Sequence, residues 1–572
     1  MSPIGRPDIQ RQWKALHQEG LLLPCAGDLL CRALEREAGL PLSKCQDTLL
    51  REQLARRCGE PPQNPIAMPA LEHMLPEPDP GSTGELLLDL LAKLDPGAGK
   101  RGQVFTPWTV AMRLADLLEP SPGQRWLDPA AGTGILLRAA RAHGAESRLC
   151  QALEPDALFR EVGRLLGPSS SWHGGDALSP WEEMPTDWRG HFQRVILNPP
   201  YRNGVEARDP QWVAWRQELR ARFSTTQGPF DLYIPFVERA LELLEPGGRL
   251  GLLMPMAWLA SANGSRLRLL LGDQHRLLRL QHAPGVRLFP RADLDAMLLV
   301  VEAHCPAEKG EADLVVEELD RHLEVVKELR WPQQAVRTLA RKGWGPLLWP
   351  PGELCRANTA ALGESHGISA SLSADEYYRL TVREEDAPRK GELRLYSSGA
   401  IEPFRSTWEV AAVRFRGQTL KRPVVCMEGL SPSRRDQVER PRVLIANLSR
   451  KLEALAAQPG QALGVVNVIQ VFCADMTQAH ALAAWLNSAP LRRWTTVWLD
   501  PLRLHTQLAL TRDVVSRLPG LPASPESVAE LARLGEALAR AWQGGSADLE
   551  ASAQLQERLD ALAARHFSCE NQ

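Results

Sequence analysis

Asn198-Pro199-Pro200-Tyr201 places three chemical groups in one short stretch. The Asn198 amide oxygen and the Pro199 carbonyl can each accept a hydrogen bond from a planar NH2 group, and the Tyr201 ring can lie on the flat face of whatever carries it. The stretch follows apolar Val195-Ile196-Leu197, which reads as the end of a buried strand. Two consecutive prolines continue neither a strand nor a helix, so the backbone is fixed at that strand's carboxyl edge, where open α/β sheets bind ligands. Taken alone, the same residues also make a proline-rich turn with a helix-starting asparagine. The surrounding chain decides between the two.

Three more polar residues occupy corresponding places. Arg125-Trp126-Leu127-Asp128-Pro129-Ala130-Ala131-Gly132-Thr133-Gly134 reads as a strand, a glycine-rich turn and the start of a helix. Gly132 and Gly134 let the backbone pass close to a ligand, and Asp128 at the strand tip suits a cationic amino group. No Gly-Lys-Ser/Thr follows, so this is not a phosphate loop. Glu154 comes 26 residues after Asp128, Asp176 another 22, and Asn198 a further 22. Polar strand tips at that spacing, separated by helix-sized segments, imply consecutive βα units with all four groups on one edge of one sheet. An acid at the tip of the second strand is placed for two ribose hydroxyls. Ahead of them, Thr106-Pro107 reads as an N-cap and first-turn proline, with Val110, Leu114, Leu117 and Leu118 at helical spacing behind it.

The elements that must carry these groups fit a chain of several domains. At 572 residues the chain exceeds one hydrophobic core, and 44% hydrophobic with 24% charged residues is ordinary for a soluble globular protein. The N-terminus lacks the apolar segment of a signal peptide, and the apolar run near Leu250–Ala260 is too short to span a bilayer, so a cytoplasmic location is expected. Ten scattered cysteines, none as Cys-x-x-Cys, read as reduced thiols rather than metal ligands. The net charge of −2 announces no nucleic-acid partner, but residues 405–520 hold 16 Lys/Arg against 8 Asp/Glu, a local +8 suited to phosphate contact.

Residues 1–99 read as helical, interrupted by a Pro/Gly-rich linker at 61–84. Residues 230–305 continue the βα pattern through Pro246-Gly247-Gly248, read as a turn before an apolar strand. Val286–Pro290 and Ala296–Glu302 read as a hairpin. Residues 306–375 read as a connector, 376–520 as a mixed α/β domain, and 521–572 as two amphipathic helices with Leu555, Leu559, Leu562 and Ala563 on one face.

In their order, Phe105-Thr106-Pro107, Asp128-Pro129-Ala130-Ala131-Gly132-Thr133-Gly134, Glu154, Gly175-Asp176, Asn198-Pro199-Pro200-Tyr201, Pro246-Gly247-Gly248 and Phe289-Pro290 resemble the DNA adenine-N6 methyltransferases that use S-adenosylmethionine, of the gamma group and TaqI type. The resemblance covers roughly residues 100–305. It implies a Rossmann-like α/β methyltransferase domain there, flanked by the helical N-terminal region, a specificity domain at 376–520 and a helical tail. Pro441–Ala446, Trp485-Leu486-Asn487-Ser488, Arg503-Leu504-His505 and Leu518-Pro519 resemble that specificity domain.

The resemblance also implies roles. Phe105 and Thr106 border the methionine end of the cofactor, and Asp128, Ala130, Gly132 and Gly134 hold it. Glu154 lies at the ribose, and Asp176 and Ala177 at the adenine, where Pro155 or Leu178 supplies the stacking surface that Ala177 lacks. Ala177 departs from the family, which has a large or aromatic residue there. Asn198, Pro199, Pro200 and Tyr201 carry catalysis, Asn198 also borders the cofactor, and Tyr201 and Phe289 hold an extruded adenine, with no cysteine nucleophile or metal required. The implied partner is double-stranded DNA, with a separately encoded restriction nuclease or defence subunit beside it and no membrane. Methylation of RNA or of a protein glutamine amide uses the same NH2 chemistry and stands as an alternative, as does a non-catalytic DNA-binding subunit. Residues 1–99 contain no Glu-x-Lys, which weighs against a nuclease in that region.

Overall fold

The structure is a computed structural model, and it describes residues 106–167, 170–201, 210–289, 295–304, 312–351, 355–449, 451–499, 508–543 and 549–569. Phe105, the helices and linker expected within 1–99, and Arg503-Leu504-His505 lie outside the described residues. The chain divides into two compact units, Met1–Leu259 with Asn263–Lys342, and Gly343–Gln572 with Ala260–Ala262.

The first unit is built on one mixed sheet. In chain order its elements are α1 (Trp108–Leu117), β1 (Trp126–Asp128), α2 (Ile135–Ala142), β2 (Cys150–Leu153), α3 (Ala157–Leu166), β3 (Ser171–His173), β4 (Phe192–Leu197), α4 (Pro210–Arg222), α5 (Tyr233–Leu243), β5 (Leu244–Pro255), α6 (Ser265–Gln274), β6 (Arg276–His282), β7 (Ala296–Glu302), β8 (Leu314–Leu319), β9 (Val325–Trp331) and α7 (Gln333–Ala340). The strand order is β3-β2-β1-β4-β5-β7-β6-β8-β9. The pairs β3–β2, β2–β1, β1–β4 and β4–β5 are parallel, and β7 enters antiparallel between β5 and β6. This is a Rossmann-like α/β fold. Its central strands are continuous apolar runs because helices cover both faces: Val195, Ile196 and Leu197 of β4 and Leu298, Leu299 and Val300 of β7 are all buried.

Chain order reverses between β1 and β4. The connections leaving these two neighbours run to opposite halves of the sheet, which opens a crevice at their carboxyl ends. Leu127 pairs with Val195, so Asp128 lies one residue beyond that pairing and Asn198 three residues beyond it, on the same edge.

Several expectations are corrected. The connector expected over 306–375 is divided: β8 and β9 join the main sheet, and the first unit runs to Lys342. β9 forms the exposed edge of the sheet, and β8 beside it is mostly buried. The hairpin expected from 286–290 pairs β7 with β6 instead, and residues 286–289 are a loop. Pro246-Gly247-Gly248 is a bulge inside β5, with Phe192 opposite Leu244 and Arg194 opposite Arg249. Gly247 there has φ +79°, and a Cβ on Gly248 would lie 3.0 Å from the Phe192 carbonyl oxygen. Thr106 does not cap α1: Pro107 is the N-cap residue and no side chain caps the helix.

The second unit has two four-stranded sheets. One runs Ile368–Ala370, Val468–Phe472, Arg442–Ala446, Ala454–Ala457, and the other runs Val382–Glu384, Pro423–Cys426, Glu392–Tyr396, Ala462–Gly464. The two tail helices, Pro525–Gln543 and Leu549–Ala564, belong to this unit, with Leu559 and Ala563 fully buried and Leu555 and Leu562 packed beside them. The residues that resemble a specificity domain hold this core. Trp485 Nε1 donates to the Pro519 carbonyl at 2.8 Å, and Asn487 Nδ2 donates to the Ala454 and Ala483 carbonyls at 2.7 and 2.9 Å. Part of the basic excess is internal: Arg442 is buried and donates to the Val438 and Ala462 carbonyls, and Arg434 pairs with Glu376 at 2.7 Å. Among the described residues no helix is long and apolar enough to cross a membrane.

In the first unit, Trp172 on β3 fixes how closely α3 and the glycine-rich loop approach. A Cβ on Gly163 would lie 2.0 Å from the Trp172 ring, and one on Gly134 2.8 Å from it. Helix propensity alone favours alanine over Gly163 by about 1 kcal/mol. The contact reverses that sign, because overpacking costs about 1–3 kcal/mol. Gly163→Ala is therefore expected to lower the melting temperature, whereas Gly429→Ala, whose Cβ meets nothing within 4 Å, leaves it unchanged. Equal melting of wild type and Gly163→Ala would contradict the placement of Trp172.

Candidate active site

The site is assembled from strand ends. Asp128 closes β1 and is fully buried. Its Oδ1 accepts the Ala130 N–H at 3.0 Å, while its Oδ2 is buried with no hydrogen-bond partner among the described residues. Burial pushes the Asp128 carboxyl up to about 8; the Ala130 bond opposes this and the neighbouring Glu154 charge adds to it. A buried carboxylate oxygen left over in this way is what a cationic or donor-bearing ligand satisfies.

Glu154 follows β2 and is also buried. Its Oε2 accepts the Gly132 N–H and its Oε1 the Asp156 N–H, each at 2.8 Å. The first bond ties the second strand tip to the glycine-rich loop. Burial moves Glu154 up to about 7 against the pull of both N–H groups. The loop needs glycine for its backbone, with φ +55° at Gly132 and +77° at Gly134. Pro155 beside Glu154 is exposed.

Asp176 lies just past β3 and accepts the Leu178 N–H at 2.9 Å. Burial raises its pKa, with Arg222 and Arg239 pulling the other way. Those two guanidinium groups also hold the loop that follows: Arg222 donates to the Leu178 carbonyl and Arg239 to the Ser179 carbonyl, the latter at 2.9 Å. Arg239 is buried, with its guanidinium 4.2 Å from the Trp181 ring centroid and 5.1 Å from that of Phe223. Both arginines were missed in the sequence, although Arg239 carried a signal, as a cation within the apolar helix Tyr233–Leu243. Ala177 and Leu178 are both buried, so position 177 offers the loop no aromatic surface.

At the end of β4, Asn198 Nδ2 donates to Thr106 Oγ1 at 2.7 Å. Pro199 is buried and Pro200 half-buried. The Tyr201 hydroxyl donates to the Leu253 carbonyl of β5 at 2.8 Å, which fixes the tilt of its ring. Phe289 meets that ring edge-on, 6.3 Å between centroids, and so does Tyr233 at 6.4 Å. Tyr201 and Phe289, 88 positions apart in the chain, are thus brought together. Tyr233 is a third aromatic that sequence reading left unassigned; its position at a helix start, two residues after Asp231, which its hydroxyl bonds at 3.2 Å, was the available signal.

The raised carboxyls make the stability of the site sensitive to pH. Unfolded, Asp128 ionises near 3.8; folded, only near 8. Between those values the folded chain holds a proton that the unfolded chain has lost, so this stability is complete below about 4 and disappears as pH rises through 8. Asp128→Asn keeps the oxygen that accepts from Ala130 and removes the charge. The unliganded variant is expected to gain stability over wild type between pH 6 and 8.5 in denaturant titrations. A difference that does not change with pH would contradict the burial of Asp128.

The stretch that carries these residues has matches among known proteins. Residues 156–289 match the family model described as Eco57I restriction-modification methylase, and residues 81–151 match the one described as N-6 DNA Methylase. The type II methyltransferase M.XhoI of Xanthomonas vasicola is 28% identical over 31% of this chain and 38% of its own length. M.TthHB8I of Thermus thermophilus is 32% identical over 32% of this chain and 42% of its own length. The chain thus spans about two-fifths of the curated relatives it matches. Among solved structures, the type IIL restriction-modification enzyme MmeI in complex with DNA is similar at a TM-score of 0.57 and 10% identity, covering 94% of this chain and 87% of that one. A DrdV–DNA complex is similar at a TM-score of 0.52 and 11% identity, covering 91% and 67%. At such identities the likeness to the solved structures is one of fold. The sequence matches and the strand-end geometry fall in one region: residues 81–151 resemble the N-6 DNA methylases and residues 156–289 the restriction–modification methylases.

Proposed function

We propose that the chain transfers a methyl group from S-adenosylmethionine to the N6 amino group of adenine in double-stranded DNA, as the modification component of a restriction–modification or phage-defence system. The observation that carries this reading is the facing pair at the switch point, with the unsatisfied Asp128 carboxylate oxygen closing β1 and the Asn198–Tyr201 segment closing β4.

When bound, S-adenosylmethionine supplies a methyl group on positive sulfur, and the C–S electron pair returns to sulfur as the new C–N bond forms. Asp128 Oδ2 suits the cofactor's ammonium group, and Gly132 and Gly134 let the backbone approach it. Glu154 suits the ribose hydroxyls and Asp176 the adenine amino group. An adenine N6 lone pair is delocalised into its ring. Asn198 Oδ1 and the Pro199 carbonyl accept from the two N6 hydrogens, which favours a pyramidal nitrogen with its lone pair turned towards the methyl group. The proton that N6 then sheds leaves to solvent.

A duplex adenine reaches this edge only when flipped out, at a cost of a few kcal/mol. Stacking on Tyr201 offsets about 1–3 kcal/mol of that. Phe289 and Tyr233 brace the Tyr201 ring from its edges. The MmeI and DrdV structures contain DNA, which supports a duplex as the substrate here.

Asn198→Ala is expected to abolish transfer of labelled methyl to unmethylated DNA while leaving cofactor affinity within about threefold. Asp128→Ala is expected to weaken cofactor binding at least about tenfold, as loss of a charged hydrogen bond does. Equal loss of affinity and transfer in Asn198→Ala, or unchanged affinity in Asp128→Ala, would contradict these roles.

A further inference from the structure

Thr106 immediately precedes the first turn of α1, where a hydroxyl ordinarily caps a helix. Here Pro107 takes the capping position and no side chain caps the helix. The Thr106 hydroxyl accepts instead from Asn198 Nδ2 at 2.7 Å, across 92 positions of chain. Thr106 is 3% exposed, so water has little access to replace that bond.

We infer that Thr106 is a positioning residue for methyl transfer: its hydroxyl takes the Asn198 NH2 group, so that the carbonyl end of the amide is the end presented to the target amino group. This rests on the proposed adenine-N6 reading. An asparagine amide has two donors at one end and one acceptor at the other, in nearly the same shape. Turned half a revolution, it sets NH2 against NH2 and draws no density from the target nitrogen. A hydroxyl can accept from the nitrogen end, as here, or donate to the oxygen end, so Thr106 holds the amide in place with its oxygen turned away, and the target NH2, which only that oxygen can satisfy, completes the choice of orientation. The entry segment before α1 therefore acts on the catalytic amide as well as bordering the cofactor.

The test compares Thr106→Val, which keeps shape and removes the hydroxyl, with Thr106→Ser, which keeps the hydroxyl. The full chain is used, with saturating S-adenosylmethionine and unmethylated double-stranded DNA; single-turnover transfer and cofactor affinity are measured separately. Thr106→Val is expected to slow transfer roughly ten- to a hundredfold with cofactor affinity within about twofold, and Thr106→Ser to restore the rate to within about threefold. Thr106→Ala removes the same hydroxyl and carries the test should the valine variant lose its fold. Equal loss of affinity and rate would make Thr106 a cofactor contact only and overturn the role, as would a wild-type rate in Thr106→Val. A wild-type chain that transfers nothing to DNA overturns the functional reading, and this role with it.

Discussion

The parallel pairing of β1 with β4 is the constraint on which the site depends. Leu127 lies against Val195, and from that pairing the chain emerges as Asp128 on one strand and Asn198 on the other. The connections from these strands run to opposite halves of the sheet, so no helix crosses the gap between them. The gap must be lined by whatever residues end the two strands. Here one end carries a carboxylate and a glycine-rich turn, and the other an amide, two prolines and a tyrosine.

Burying charge at those ends is unfavourable, and the neighbouring structure absorbs the cost unevenly. Asp128 receives one backbone N–H for two oxygens, whereas Glu154 receives one N–H for each oxygen. The carboxyl left with an unsatisfied oxygen is the one pushed furthest up, to about 8, against about 7 for Glu154. A site held this way is destabilised until a donor or cation enters, which is the usual relation between preorganised binding groups and fold stability. Its supports lie behind the strand ends: Trp172 against the glycine-rich loop, Arg222 and Arg239 on the loop after Asp176, and Leu253, whose carbonyl anchors Tyr201.

The four polar strand ends were legible in the sequence because helix-sized segments separate them at near-regular spacing, although the strand before Asp176, Ser171-Trp172-His173, carries little apolar signal. One sheet edge was enough to collect them. Residues whose partners are distant were not legible. Thr106 reads as a helix cap by local pattern, yet its hydroxyl bonds Asn198, and nothing in the residues around it signals that. Arg222 and Arg239 serve backbone carbonyls, a role with no sequence signature. The glycines of β5 read as a turn because glycine marks both turns and bulges, and only the register with β4 separates them. In the second unit, local charge overstated the free cations, since a guanidinium such as that of Arg442 can be spent wholly on internal carbonyls. Trp485 and Asn487, matched to a specificity domain by resemblance, tie helix to strand and loop in the core.

The amide at the end of β4 suits an exocyclic amino group, and the aromatic residues around it suit a flat base. The most direct measurement is to incubate the protein with labelled S-adenosylmethionine and unmethylated double-stranded DNA, digest the DNA to nucleosides, and identify which nucleoside carries the label. Label in N6-methyladenine alone is the expected result. Label in a ring-carbon methyl group such as 5-methylcytosine, or label that enters RNA or protein and never DNA, would contradict it.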